Sequence, residues 1–206
     1  MGWLRIGAGL VGTCVLAVPA ASDEGRTAPL AAISAHLPEQ VEARLREELQ
    51  ASPEAGFSSP WNLGYADFVP QSVGSDDCHY DVPSEGNGGY VAADSPGGVC
   101  CLVAGVHLPE GATVSSIFFF LRDASADDVT LSLRRKRIDD ESTSTAMGST
   151  TTSGTGAGVR LFSDVSITEG VIDNRSYSYF VSTDTCLDQG LDLRFVGALV
   201  FFTEGS

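Results

Sequence analysis

From Val99 onward the chain alternates with a period of two, and this limits its fold more than any other feature. Cys100, Leu102, Ala104, Val106 and Leu108 fall on one parity; Cys101, Val103, Gly105 and His107 fall on the other. A strand sends successive side chains to opposite faces, so the first set predicts a buried face and the second an outer one. Pro109-Glu110-Gly111 then predicts a turn. In the next run, Thr113 to Arg122, Ile117-Phe118-Phe119-Phe120-Leu121 is apolar on both parities, as in a central strand covered on both sides. Asp123 to Asp128 reads as a turn, and Val129, Leu131 and Leu133 alternate with Thr130, Ser132 and Arg134. Asp139-Asp140-Glu141 breaks the pattern. Ser142 to Ser153 reads either as a low-complexity linker or, from its threonines, as an edge strand. Gly154 to Gly158 is a turn leading to a strand over Val159 to Ile167. Tyr177 to Thr183 and Leu191 to Phe202 are expected to close the domain as a long pair. Turns every eight to twelve residues or so, with no helical stretch between them, predict an all-β fold. The expected form is an antiparallel β-sandwich or jelly roll of about seven to nine strands.

The N-terminal part is different. One cation at Arg5, an apolar run from Ile6 to Val18 and Val18-Pro19-Ala20 make the three parts of a secretion signal, with cleavage after Ala20. The run is too short to span a bilayer comfortably, which takes roughly 20 residues, and an uncleaved N-terminal anchor is the alternative reading. Cys14 belongs to this discarded piece. Residues 21–36 read as a disordered leader. Residues 37–52 read as one amphipathic helix, with Pro38 in its first turn and Pro53 just past its end. Leu37, Val41, Leu45 and Leu49 recur every fourth residue, with Ile33 extending the row. That step drifts around the helix, whereas a coiled-coil seam averages 3.5. The expected use is therefore a helix lying on its own domain or free in solution, with an oligomerising stalk or a surface-membrane helix as alternatives. Residues 56–206 form the expected β domain. Its first part is loop-rich, with short strands expected near Phe68 to Val73 and Gly89 to Ala93.

Charge narrows the partners. The signal removes one of the 12 basic residues and none of the 27 acidic ones, leaving the exported chain more negative than the −15 of the whole. Such a surface repels nucleic-acid phosphates and anionic lipid headgroups, so neither nucleic acid nor stable membrane insertion is expected. A protein or glycan partner remains open, as does a homo-oligomer. The expected location is secreted or periplasmic.

The four cysteines that remain, Cys78, Cys100, Cys101 and Cys186, are an even set in an exported chain and predict two disulfides. A Cys100–Cys101 bond is set aside, because neighbours on a strand point to opposite faces. Cys100 shares parity with the buried set. Cys186 shares parity with Phe180, taken as the core side, and Cys78 lies in the loop-rich part. The expected pairs are Cys78–Cys101 and Cys100–Cys186, with the swapped pairing as the alternative.

No motif carries chemistry. Nucleophile-elbow, zinc-protease and phosphate-loop patterns are missing, and Gly154-Thr-Gly156-Ala-Gly158 lacks the strand–turn–helix setting of a dinucleotide loop. Cys78-His79 are adjacent, whereas a nucleophile and its base come from separate segments. Acidic groups at Asp76-Asp77, at Asp123 with Asp127-Asp128, and at Asp184, Asp188 and Asp192 lack an interleaved calcium-loop pattern and read as turn formers. Asn174-Arg-Ser176 is formally a glycosylation sequon beside a strand. No cofactor and no metal are expected. Arg134-Arg135-Lys136-Arg137 is the only basic cluster; its expected role is a strand end matched by Asp139, Asp140 and Glu141, and the sharper one a site for an acidic glycan.

Leu108-Pro-Glu-Gly-Ala-Thr-Val114, Phe120-Leu-Arg-Asp123, Leu131-Ser-Leu-Arg-Arg135, and Val171-Ile-Asp-Asn174 followed by Tyr177-Ser-Tyr179 resemble a jelly-roll-like β-sandwich module of exported bacterial proteins. The resemblance covers about residues 100–203. That module has no established activity, so the resemblance implies fold and compartment and assigns no site residue. The expected function is a non-catalytic exported module for binding or assembly. The alternatives are a glycan-binding module, with Trp61, Tyr65 or Tyr80 as its platform, and a small glycan or peptide hydrolase.

Overall fold

In the computed structural model, which describes residues 59–71, 77–81, 89–141 and 143–205, the chain forms thirteen strands. They are Trp61–Gly64 (β1), Val69–Pro70 (β2), Cys78–Asp81 (β3), Tyr90–Ala93 (β4), Pro96–Cys100 (β5), Leu102–Val106 (β6), Thr113–Asp123 (β7), Thr130–Arg137 (β8), Ser144–Thr151 (β9), Val159–Asp164 (β10), Tyr177–Thr183 (β11), Leu187–Gln189 (β12) and Leu193–Thr203 (β13). The signal at 1–20, the leader at 21–36 and the helix at 37–52 lie outside the described residues.

Two antiparallel sheets face each other. The first runs β10-β7-β13-β4-β3, with β1 also pairing β13; the second runs β2-β6-β11-β8-β9, and β12-β5 makes a small third sheet. β7, apolar on both parities, lies inside its sheet between β10 and β13. Ile117, Phe119 and Leu121 of β7 and Phe195 and Val200 of β13 meet Leu102, Ala104, Leu131, Leu133 and Val181 of the second sheet in one continuous core. All of these are almost fully buried, and hydrophobic burial at about 25 cal/mol per Å² makes this interlayer contact the main stabilising term.

Two expectations about organisation are corrected. Thirteen strands among the described residues replace the seven to nine; β2 and β4 fall where short strands were expected, near Phe68 to Val73 and Gly89 to Ala93, whereas runs of three or four residues such as β1, β3 and β12 are too short to show a period. The final two long strands do not pair. β11 lies in the second sheet between β6 and β8, and β13 lies in the first beside β7. Alternation reveals a strand but not its neighbour. Ser144–Thr151 resolves the linker-or-strand alternative: it is the edge strand β9, paired with β8.

Of the residues that carry the resemblance, the Leu108–Ala112 and Ile172–Asn174 runs and Tyr179 come together as a joint between the sheets. Pro109 to Ala112 makes a turn closed by Ala112 N–H to Pro109 O at 3.2 Å, and Gly111 sits there at φ 77°, a conformation that favours glycine. Gly111 N–H then donates to Ile172 O, and Ile172 N–H to Ala112 O. The Asn174 side-chain amide donates to Leu108 O at 2.9 Å, and Asp173 N–H donates to the Tyr179 hydroxyl at 2.7 Å. Asn174, the sequon residue, is thus held in a backbone contact. A second tight approach lies at Gly197 in the β13 bulge, where a Cβ would stand 2.7 Å from Leu63 O of β1.

The cysteines pair as Cys78–Cys100 and Cys101–Cys186, which corrects the expected Cys78–Cys101 and Cys100–Cys186 in favour of the swapped alternative. Cys78 is not in a loop; it lies in β3 opposite buried Ala93 and points inward. Cys100 is also inward, opposite buried Leu187. Cys186 immediately precedes Leu187 and therefore takes the other face, with Cys101. Its shared parity with Phe180 stands, but Tyr179, Val181 and Thr183 are the buried set of β11, so that parity faces out.

Candidate functional site

At one end of the first sheet, the outer face carries a row of polar side chains. Leu121 and Phe195 point into the core, so Arg122 and Arg194, next to them, point out; the two arginines are direct cross-strand partners. Val159 of β10 stands opposite Arg122 on its other side. On β4, Val91 is inward and Tyr90 outward, and Tyr90 is opposite Asp81 of β3. The row therefore crosses the sheet from Asp81 through Tyr90 and the arginine pair to Val159. With Gly89 and Val196 these residues line an open cavity of about 310 Å³.

Like charges directly opposite each other on neighbouring strands are destabilising. Among the described residues neither arginine has a carboxylate ion-pair partner; the nearest charge of opposite sign in the cavity is Asp81. Arg194 Nε donates to Leu191 O at 2.7 Å, and its guanidinium lies over the Tyr90 ring, 4.7 Å from the centroid. That contact orients the arginine without neutralising it. Arg122 Nε is buried with no hydrogen-bond partner. Burial pushes the Tyr90 phenol above its ordinary range, Arg194 opposes this, and the hydrogen bond to Asp81 raises it further, so the ring stays neutral at physiological pH. The cavity therefore combines excess positive charge, one carboxylate and an aromatic wall.

The basic cluster at 134–137 is not this site. Arg134 pairs with Asp184 at 2.9 Å, Arg137 with Asp139 at 2.7 Å, and Arg135 with Glu169 while lying over the Tyr177 ring. The expected aromatic platform is also not assembled: Trp61, Tyr65 and Tyr80 are half-buried against the core, and the Tyr80 hydroxyl donates to Phe68 O at 3.0 Å. Cys78 is held in a disulfide, away from any role beside His79. Asp76 lies outside the described residues, and several of the other acidic groups are spent separately. Asp77 accepts from Val99 N–H, Asp123 from Ser125 and Arg160 faces it, Asp127 accepts from Gln189, and Asp184 from Ser132 and Arg134. Among the described residues no three potential metal ligands converge, and no described helix is long and apolar enough to cross a membrane. Sequence reasoning missed Asp81, Tyr90, Arg122 and Arg194 as a group. Its one available signal was the single arginine on each of two long apolar strands.

No protein-family model matches the chain, and no curated protein sequence matches it. Among solved structures, the chain is similar to the C-terminal family 6 carbohydrate-binding module of a laminarinase from Zobellia galactanivorans, at 13% identity and a TM-score of 0.43, over 69% of this chain and 99% of that one. A family 35 carbohydrate-binding module from Clostridium thermocellum gives 13% identity and 0.43, over 69% and 98%. A carbohydrate-binding module of Cellvibrio mixtus lichenase 5A, in complex with cellotriose, gives 10% identity and 0.42, over 70% and 98%. No residue of this chain takes a role from that likeness.

Proposed function

We propose that this protein is a non-catalytic binding module for a saccharide that carries a carboxylate. The observation that carries this reading is the facing pair Arg122 and Arg194, which share an open cavity with Tyr90 and Asp81 and have no carboxylate ion-pair partner among the described residues. A bound carboxylate relieves the repulsion between them and accepts charge-assisted hydrogen bonds. Asp81 accepts from a sugar hydroxyl, and the exposed edge of Tyr90 offers apolar contact. A cavity of about 310 Å³ is near the lower limit for small-ligand sites and suits one sugar unit. The acidic surface as a whole disfavours a dense polyanion, so an isolated uronate within a glycan fits better than a heavily sulfated chain. A hydrolase reading has less support here: glycoside hydrolysis uses two carboxyl groups, and Asp81 is the only one among the lining residues.

Calorimetric titration of the exported protein with a uronate-bearing oligosaccharide and with its carboxyl-reduced counterpart tests this. The acidic ligand should bind at least about tenfold more tightly, and Arg122→Gln or Arg194→Gln should each remove about that advantage. Equal affinity for both ligands, or binding indifferent to both substitutions, refutes the proposal.

A further inference from the structure

Beyond the cleft, the same outer face turns apolar. Phe201 of β13 lies opposite Ser116 of β7, Leu199 opposite Phe118, and Leu161 of β10 opposite Phe120. These side chains alternate with Ile117, Phe119, Leu121 and Val200, which fill the core, and so point away from the second sheet. Yet Phe201 and Ser116 are 0% exposed, Phe118 1% and Phe120 7%. Phe118 packs edge-on against Phe201 with ring centres 5.2 Å apart. Side chains outside a sheet become this inaccessible only beneath a further layer. The described strands are all used in the two facing sheets and the small third one, and none of them supplies that layer.

We infer that residues 37–52 of this chain cover the face as a helix, with Leu37, Val41, Leu45 and Leu49 against Phe118, Phe120 and Phe201. The described chain begins in the right place. β1 runs antiparallel to β13 with Trp61 opposite Val200, and Phe202 N–H donates to the Ser59 hydroxyl at 3.1 Å. The described chain thus begins beside Phe201 and Phe202. The stretch from Pro53 to Ser59 reaches up to about 20 Å when extended, enough to turn from that end onto the outer face. A helix over 37–52 is about 24 Å long, which spans the apolar patch. Its one apolar row needs one apolar surface, and this face needs one cover.

A photo-crosslinking amino acid in place of Leu45, in the full exported chain, tests the assignment. An equal mixture of isotopically labelled and unlabelled copies separates bonds within a chain from bonds between chains. Crosslinks within one chain to peptides containing Phe118, Phe120 or Phe201 are expected. Crosslinks between copies mean that a second molecule is the cover; crosslinks elsewhere in the chain, or none, also overturn the inference. In parallel, Leu45→Asp should raise binding of a hydrophobic dye several-fold, and Glu47→Gln, on the opposite side of the helix, should leave it unchanged. No rise with Leu45→Asp counts against the docking.

Discussion

Asp173 shows how a single carboxylate holds the joint between the sheets. It accepts from the Arg175 and Ser176 amides at 3.1 and 3.3 Å, while its own N–H donates to the Tyr179 hydroxyl. The hydrogen bond from the Ser176 side chain, reinforced by those two amides, holds its carboxyl below the usual carboxylate range despite some desolvation. A folded-state pKa below the unfolded one means the stabilisation is complete above the unfolded value and is lost as pH falls through the folded one. The melting temperature of the native chain should therefore drop more steeply than that of Asp173→Asn between about pH 5 and pH 2. Parallel melting curves across that window would show that the carboxylate contributes nothing. Asp123 makes a related point. It reads in the sequence as one more turn-forming acid, yet it is fully buried, accepts from Ser125 at 2.8 Å and faces Arg160. Its partner lies 37 residues further along, beyond the reach of any local pattern.

At the scale of elements, alternation and pairing carry different information. The parity of Cys100 and Cys101 was legible, and burial agrees with it: Leu102, Ala104 and Val106 are buried, and Val103 and Gly105 are not. The parity of Cys186 was legible as well, but β11 carries aromatic or apolar residues on both parities, and only its packing shows which one is inner. Thiol counting on a chain lacking residues 1–20, and with them Cys14, distinguishes the bonds. Replacing Cys78 and Cys100 together with serine should leave no free thiol, whereas replacing Cys78 and Cys101 should strand Cys100 and Cys186 without their partners. Two thiols in the first variant would refute the pairing. The two bonds should also differ in weight. Cys101–Cys186 closes a separation of 85 residues and Cys78–Cys100 one of 22, so losing the first should cost about 4.6 kcal/mol and losing the second about 3.4 kcal/mol, by restriction of the unfolded chain.

For the molecule as a whole, the inner core and the covered outer face have separate roles. Among the described residues, the core between the sheets is built from the strands of the two facing sheets, the small third sheet and the turns that join them. A chain starting at residue 56 is therefore expected to fold and melt cooperatively, while binding hydrophobic dye on the bared Phe118–Phe201 face. A chain of that length with no cooperative melt in circular dichroism, while the longer one retains it, would make the N-terminal segment part of the folding unit and move the boundary. The outer face of the first sheet thus carries the cleft at the Arg122–Arg194 end and the apolar Phe118–Phe201 patch at the other.

What the sequence determined by itself is local. Alternation marks the long strands, double-sided apolarity marks β7 as interior, and Pro109-Glu110-Gly111 marks a turn, because each depends on residues within a few positions of one another. What only the tertiary structure decided is who stands beside whom. Arg122 and Arg194 are 72 positions apart in the chain and become neighbours because β13 pairs with β7 and not with β11. Strand order and register arise from the packing of whole faces, and a period of two is the same whichever neighbour a strand takes.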